Sequence, residues 1–411
     1  MAEQIFIIAV KKPQQTNEHF STSLDELVSL SQTAGGTVCQ IFTQNRHHIH
    51  PAHYIGEGKI EEITDQLEAF AIDLVIANDE LSAGQIRNLS EHFGVRVIDR
   101  SQLILDIFAQ RAHTKEGKLQ VELAQLEYLL PRLRGQGVAM SRLGAGIGTR
   151  GPGETKLETD RRHIQQRIFD IKRRLKMVVG QREQYRKRRK ANHVFQIAIV
   201  GYTNAGKSTL FNRITNSQTL EENQLFATLD PLTRQIQLPS GFRSLITDTV
   251  GFLQDLPTAL IASFRSTLEE VTEADFILHV VDAANPDMEQ QQDTVMALLK
   301  DLGAHTIPML TVYNKKDRLT ADFIPSNYPS ILVSATEASE IQRILAKVEE
   351  ILRDEWQWYN VWLDPDEGKI MSQFEQETIM DERHFDPKLM KYRVKGYIRE
   401  DHPLTSYIKE Q

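Results

Sequence analysis

At 411 residues, with 40% hydrophobic and 25% charged side chains, the chain has room for two to four globular domains, each with its own core. It contains no apolar run of the roughly eighteen residues a membrane span needs, and the opening MAEQIFIIAVKK becomes charged too early for a signal peptide, so the expectation is a cytoplasmic protein with no membrane span. Cys39 is the single cysteine, which excludes internal disulfides and cysteine-cluster metal sites, and the formal net charge of −8 hides a basic stretch at 155–190 with fourteen Lys/Arg against four Asp/Glu.

Residues 1–112 alternate short apolar runs at 5–10, 37–43, 72–78 and 95–98 with helical stretches at 23–33, 59–70, 83–93 and 103–110. Strands alternating with helices predict βα units on a parallel sheet, hence an N-terminal α/β domain. Gly56-Glu-Gly58-Lys59 opens a helix and places backbone N–H groups beside an ammonium, but its spacing matches no complete nucleotide fingerprint and reads as a glycine turn. His47, His48, His50 and His53 surround Pro51 without a ligand spacing that fixes a tetrahedral site, and read as an exposed polar loop.

Residues 113–193 change pattern. Leu119, Leu123, Leu126, Leu130 and Leu133, then Ile164, Ile168, Ile171, Leu175 and Val178, repeat at helical spacing and predict an antiparallel helical hairpin as a linker, with Pro131 ending or kinking its first helix. Between the stripes, Arg134, Arg142 and Arg150 sit among seven glycines, and the second helix runs on through Lys156 into Arg186-Lys187-Arg188. Such localised positive charge, on a segment too glycine-rich to pack a core, points to RNA.

The domain at 194–356 carries the chemistry. An apolar strand at 197–200 enters Gly201-Tyr-Thr-Asn204-Ala205-Gly206-Lys207-Ser208-Thr209, a P-loop. Its glycines let consecutive N–H groups face a phosphate, Lys207 reaches the β- and γ-phosphates, and Ser208 meets Mg²⁺. Asp248-Thr-Val-Gly251 has the D-x-x-G form, with Asp248 near the metal and the Gly251 N–H on the γ-phosphate, so that phosphate loss releases the adjoining loop. Thr228 is the candidate switch threonine on Mg²⁺, with Thr233 as the alternative. Asn314-Lys315-Lys-Asp317 has the N-K-x-D form: an acceptor-only carboxylate at Asp317 takes both guanine donors, which adenine does not offer. Asn314 braces the pocket, the stem of Lys315 lies against the base, and Ser334-Ala335 supplies an N–H to the guanine oxygen. Together these motifs predict a P-loop GTPase domain with a mainly parallel sheet, binding GTP/GDP and Mg²⁺, with Lys207, Thr228 and Gly251 as catalytic residues. Phe252 stands where many GTPases carry a water-positioning glutamine, so hydrolysis by the isolated enzyme is expected to be slow.

Residues 357–411 form a small C-terminal α+β domain. The stretch from Trp356 through Trp358 to Trp362 could meet RNA or protein, but core packing is the expected use of its aromatics.

The chain as a whole resembles the HflX GTPase family, on Tyr54-Ile-Gly-Glu-Gly-Lys-Ile-Glu-Glu62, Ile98-Asp-Arg-Ser-Gln-Leu-Ile-Leu-Asp106, Ser141-Arg-Leu-Gly-Ala-Gly-Ile-Gly-Thr-Arg-Gly-Pro-Gly-Glu-Thr-Lys156, Phe226-Ala-Thr-Leu-Asp230 and Asp248-Thr-Val-Gly-Phe252; Leu232 departs from the family's usual threonine. The resemblance implies a bacterial-type translational GTPase that binds the large ribosomal subunit and helps to split ribosomes under stress; with Phe252 in place of glutamine, turnover stimulated by the ribosome is expected, and a monomer is expected as well. It also implies ATP at the N-terminal domain, as in some members, which would return a role to Gly56-Glu-Gly58-Lys59. The residue pattern leaves open an RNA-binding or ribosome-assembly scaffold with a nearly inactive nucleotide domain, or a partner in tRNA modification.

Overall fold

The computed structural model describes residues 2–133, 152–191, 193–216, 225–226, 228–254 and 270–409. By contacts the chain divides into two units: the first holds residues 2–180 together with the short segment around Phe226, and the second holds 181–216, 230–253 and 270–409. No described helix is long and apolar enough to cross a membrane.

In the first unit, β1 (Gln4–Lys11), β2 (Thr37–Asn45), β3 (Leu74–Ala77) and β4 (Arg96–Asp99) form a parallel sheet in the order β2-β1-β3-β4. The inner part of β1 is buried along its whole length, which is why it reads as an unbroken apolar run. Helices α1 (Asn17–Thr33), α2 (Glu57–Phe70), α3 (Ala83–Phe93) and α4 (Arg100–Arg111) make the connections. Two of them begin earlier than hydrophobic periodicity suggests. The Thr16 hydroxyl accepts the His19 N–H and the Asp99 carboxylate accepts the Gln102 N–H, and each cap starts its helix before the first apolar residue of the stripe. Ser82 and Gln85 form a reciprocal capping box on α3.

Two further helices follow, α5 (Lys115–Arg132) and α6 (Pro152–Ala191). Pro131 lies in the last turn of α5, one residue before the helix ends. The leucine stripe of α5 is only partly the buried one: Leu123 is covered, but the remaining buried positions are Glu116, Gly117, Gln120, Val121, Ala124 and Tyr128. On α6, Ile171 is buried while Ile164, Ile168, Leu175 and Val178 are half-buried. Arg167 holds Glu122 through two hydrogen bonds of 2.6 and 2.9 Å, and Lys172 pairs with Glu127 at 2.8 Å, tying the two helices together.

The second unit is built on a six-stranded sheet in the order β10-β9-β8-β5-β7-β6. Its strands are β5 (Phe195–Gly201), β6 (Leu232–Gln237), β7 (Arg243–Asp248), β8 (Phe276–Asp282), β9 (Met309–Asn314) and β10 (Ser330–Leu332). All pair in parallel except β6, which runs antiparallel to β7 on the edge. Helices α7 (Lys207–Thr215), α8 (Met288–Asp301) and α9 (Ala338–Glu355) flank it. The core joins Ile197 and Ile199 of β5 to Leu210 and Phe211 of α7 and to Ile344 and Val348 of α9. After α9, the strands β11 (Gln357–Leu363), β12 (Ile379–Asp386) and β13 (Lys391–Ile398) form an antiparallel sheet in the order β11-β13-β12, with α10 (Gly368–Glu377) and α11 (Leu404–Lys409). Its own core contains Tyr359, Val361, Leu363, Phe374 and Val394.

Candidate functional site

The carboxyl ends of β5, β7, β8 and β9 converge on one region of the second unit, the place where open parallel sheets bind ligands. β5 delivers the glycine-rich loop there. Gly201 has φ +155°, and a Cβ on it would lie 2.2 Å from the Val280 carbonyl oxygen; Gly206 has φ +96°, and a Cβ there would lie 2.2 Å from Asn314 Nδ2. Both positions therefore need glycine, for conformation and for space. Lys207 opens α7 and is 6% exposed, with its ammonium donating to the Tyr202 carbonyl at 2.7 Å. Burial lowers its pKa from the ordinary 10.5 to about 8, against an opposing pull from Asp248 and with a further push from Lys315. Beside it, His279 is buried in β8 and held neutral, its pKa lowered to about 4 by burial and by Lys207.

The Ser208 hydroxyl donates to Asp248 Oδ2 at 2.8 Å, and Asp248 is fully buried at the end of β7. A hydroxyl and a carboxylate side by side at a helix start are the hard oxygen donors that suit Mg²⁺. Gly251 follows closely packed: a Cβ there would sit 2.7 Å from Thr203 Cγ2 and 2.9 Å from Lys207 Nζ. The next residue joins the two loops. Phe252 pairs with Tyr202 as a parallel bridge, its N–H donating to the Gly201 carbonyl at 3.2 Å and its carbonyl accepting the Thr203 N–H at 2.9 Å, while the ring is 1% exposed.

At the other end of the pocket, Asn314 spans two loops. Its Nδ2 donates to the Ala205 carbonyl at 2.9 Å and its Oδ1 accepts the Ala335 N–H at 2.9 Å. Lys315 adopts φ +63° and donates to the Asn204 carbonyl at 2.8 Å and to Asp282 at 2.7 Å. The Ser334 hydroxyl donates to Asp317 Oδ1 at 2.6 Å and also contacts Thr336 Oγ1 at 2.8 Å. The bond from Ser334 is the main reason the Asp317 carboxyl sits below the usual carboxylate range, and the residue is exposed. A carboxylate kept ionised in this place accepts paired N–H donors and refuses carbonyls.

These contacts bring together Gly201, Asn204, Ala205, Gly206, Lys207, Ser208, Asp248, Gly251, Asn314, Lys315, Asp317, Ser334 and Ala335 within one unit, with Thr209 following Ser208 on α7. Thr228 lies in a segment assigned by its contacts to the first unit, whereas these residues lie in the second. The alternative, Thr233, is a strand residue whose hydroxyl meets Thr247 Oγ1 at 2.9 Å across the β6–β7 pair, so it serves the sheet and not the loop. Of the RNA candidates, Arg134, Arg142 and Arg150 lie outside the described residues, whereas Lys156, Arg186, Lys187 and Arg188 lie along α6. Lys187 is exposed there, as are Arg162, Lys172, Arg173, Arg174 and Lys176.

A relative from Alkalihalophilus pseudofirmus named GTPase HflX is 53% identical over 396 residues, covering 96% of this chain and 94% of that protein. The chain belongs to the HflX family of GTPases. An Escherichia coli GTPase HflX is 44% identical across 88% of this chain and 86% of its own. Three family descriptions match in succession: "GTP-binding GTPase N-terminal" over residues 21–109, "GTP-binding GTPase Middle Region" over 111–189 and "50S ribosome-binding GTPase" over 196–315. Among solved structures, a GTP-binding protein from the archaeon Sulfolobus solfataricus in complex with GDP aligns with 85% of this chain and 98% of that one, at 22% identity and a TM-score of 0.45.

As an HflX GTPase the chain binds guanine nucleotide and hydrolyses GTP. ATP at the N-terminal domain gains no such support. The Gly56 N–H is taken by Gln44 Oε1 at 2.9 Å and the Lys59 ammonium by Glu62 at 2.6 Å, so the turn satisfies its own polar groups. Three members of the HflX pocket escaped sequence reasoning: the Tyr202 carbonyl under Lys207, Asp282 on Lys315, and His279 behind the loop. Only Asp282, at the end of an apolar strand-like run, carries a signal that could have found it.

Proposed function

We propose that the chain is a Mg²⁺-dependent GTPase whose nucleotide state controls its binding to the large ribosomal subunit, and that this binding dissociates ribosomes in stressed cells. The observation that carries the ribosomal part is the run of exposed cations along α6, set in a chain that matches HflX proteins over nearly its whole length. Its organisation is read as four parts: an N-terminal α/β domain at 1–112, a helical linker at 113–193, the GTPase domain at 194–356 and a small domain at 357–411. Arg134, Arg142 and Arg150 would extend the basic surface of α6, with Lys156 and Arg186-Lys187-Arg188 on the helix itself.

In the pocket, the backbone of Gly201 to Thr209 wraps the phosphates and Lys207 exchanges the Tyr202 carbonyl for their oxygens. Ser208 and Asp248 would hold Mg²⁺, with Thr228 completing the set; the ion would supply charge neutralisation to the phosphates. The Gly251 N–H meets the γ-phosphate. Asp317 selects guanine, with Asn314 fixing the loop that carries it and Lys315 and Ala335 closing over the base. All these groups come from one chain, so a single copy suffices. Phe252 has no group that orients water and its ring is buried, so the water-positioning element comes from the ribosomal partner or from a rearranged switch segment.

Two measurements test the reading together. Co-sedimentation with large subunits should occur with a GTP analogue and fall with GDP, and large subunits should raise turnover by about 10³-fold or more. Binding that ignores the nucleotide, or turnover that large subunits do not change, would leave a passive scaffold in its place.

A further inference from the structure

The base end of the pocket contains one ion pair whose acid lies in none of the sequence motifs. β8 ends on Asp282, beside Asn314 in the β8–β9 register, and the next N–H, that of Ala283, donates to the Asn314 carbonyl at 3.0 Å. The end of this strand is therefore joined to the strand that delivers the N-K-x-D loop. On either side of Asp282, Val281 and Ala283 are buried with Tyr313 in a small apolar cluster, so packing holds the backbone that carries the carboxylate.

The carboxylate divides its two oxygens. Oδ1 accepts the Ala284 N–H at 3.1 Å, a local turn that fixes the direction of the side chain, and Oδ2 accepts from the Lys315 ammonium at 2.7 Å. Both side chains of the pair are largely covered, 15% exposed for Asp282 and 14% for Lys315. Lys315 gives another N–H to the Asn204 carbonyl at 2.8 Å. Its ammonium is thus tied both to the phosphate-binding loop and to the end of β8, and of these two acceptors only Asp282 carries the opposite charge. A charged acceptor holds an ammonium more firmly than a neutral carbonyl does. Lysine has a long, flexible stem, and fixing its far end removes much of that freedom before a ligand arrives.

We propose that Asp282 is a positioning residue for nucleotide binding: its carboxylate pins the Lys315 ammonium, so that the methylene stem is presented in one conformation as the apolar cover of the guanine base. Asp282 acts through Lys315 and not on the nucleotide. The inference rests on the reading in which the Lys315 stem lies against the base. A cover of methylenes meets the face of a purine without reading its edge, so Asp282 sets how tightly a base is held, whereas Asp317 sets which base it is.

The test measures displacement of a fluorescent methylanthraniloyl-GDP from the full chain by GDP and by inosine diphosphate, which keeps the ring face and lacks the exocyclic amine. D282N preserves the size of the side chain but offers the ammonium no negative charge, and should weaken GDP by about tenfold, the scale of leaving one long side chain to be ordered on binding. Inosine diphosphate should weaken by the same factor, leaving the preference between the two unchanged. In GTP turnover the loss should appear in KM more than in kcat. D282E, which restores a carboxylate, should recover part of the affinity. The deciding measurement is the coupling: in a K315A background, D282N should cost less than about twofold, because the group it acts through is gone. Nucleotide-free D282N should melt with the parent, since Val281 and Ala283 hold the strand end. If K315A leaves GDP affinity at the parent level, the reading of Lys315 falls and takes the proposal with it. If K315A weakens GDP while D282N does not, if the D282N loss persists in full beside K315A, if D282E recovers nothing, or if the two nucleotides respond differently, the proposal alone is overturned.

Discussion

The two ends of the nucleotide pocket are held in different ways. At the base end, Asn314 ties the Ala205 and Ala335 loops, Lys315 is anchored on Asn204 and Asp282, and Ser334 aims Asp317. The Ala335 N–H is already given to Asn314 there, so a ligand that draws on it must share or displace that bond, while Asp317 is exposed. At the phosphate end, the groups that would meet ligand bond to one another: Lys207 to Tyr202 and Ser208 to Asp248. There a phosphate must displace existing partners, at the cost of the bonds they make. Under the proposed roles, base selection would therefore rest on a loop braced by several bonds, whereas phosphate binding would include rearrangement of the Lys207 and Ser208 bonds.

The contrast is broken most severely at the phosphate end. Lys207→Ala removes the buried cation and should reduce GTP turnover by about 10³-fold, with guanine preference among weakly bound nucleotides retained; a folded variant that hydrolyses GTP normally would move the active site elsewhere. At the base end, Asp317→Asn should shift preference from GTP toward XTP by about 10²-fold, since xanthine replaces the exocyclic amine with a carbonyl that an amide can serve. Competition binding decides this, and an unchanged preference for GTP would dissociate Asp317 from base recognition.

The smaller effects sharpen the comparison through pH. The Lys207 amine, with its pKa lowered from 10.5 to about 8, loses its proton in the folded chain at a lower pH than in the unfolded chain. The unfolded state then binds more protons between those values, so stability without nucleotide should rise across that window. GTP affinity should move the other way, falling as pH rises through about 8 with proton uptake on binding; calorimetry in buffers of different ionisation enthalpy measures that uptake. Asp317 behaves oppositely, because its carboxyl is held below the ordinary range mainly by Ser334. Ser334→Ala should move the acid limb of GTP binding to higher pH while weakening neutral-pH affinity by less than about tenfold, as fits an exposed carboxylate. An acid limb that stays in place would show that Ser334 does not set the charge of Asp317.

Much of this pocket was legible in the sequence because each motif keeps its groups consecutive and uses the backbone. Gly201 to Thr209 needs only its own loop, and Asn314 to Asp317 only the end of one strand. The Asp282–Lys315 bond is different in kind: it depends on β8 lying between β5 and β9, which is a property of sheet order. The leucine stripe of α5 misled for a related reason. Size and apolarity marked the leucines, yet the helix buries Glu116, Gly117, Gln120, Val121, Ala124 and Tyr128 along with Leu123, a face that mixes polar, small and aromatic side chains. The aromatic stretch reads as one cluster in the sequence, yet Trp356 lies just before β11 and packs on Phe195 and Phe242, whereas Trp358 and Trp362 share the face of β11 opposite its core.

The Tyr202–Phe252 bridge makes the D-x-x-G loop a continuation of the P-loop's own hydrogen-bonded ladder. Partial movement of that loop would strand the Thr203 N–H and the Phe252 carbonyl while drawing an aromatic ring out of its cover. Intermediate positions would therefore be the expensive ones, and the expected behaviour of the loop is two cooperative resting places in preference to a continuum. Nucleotide chemistry would then be read out as an all-or-none event, visible as joint protection or joint exchange of the Thr203 and Phe252 amides.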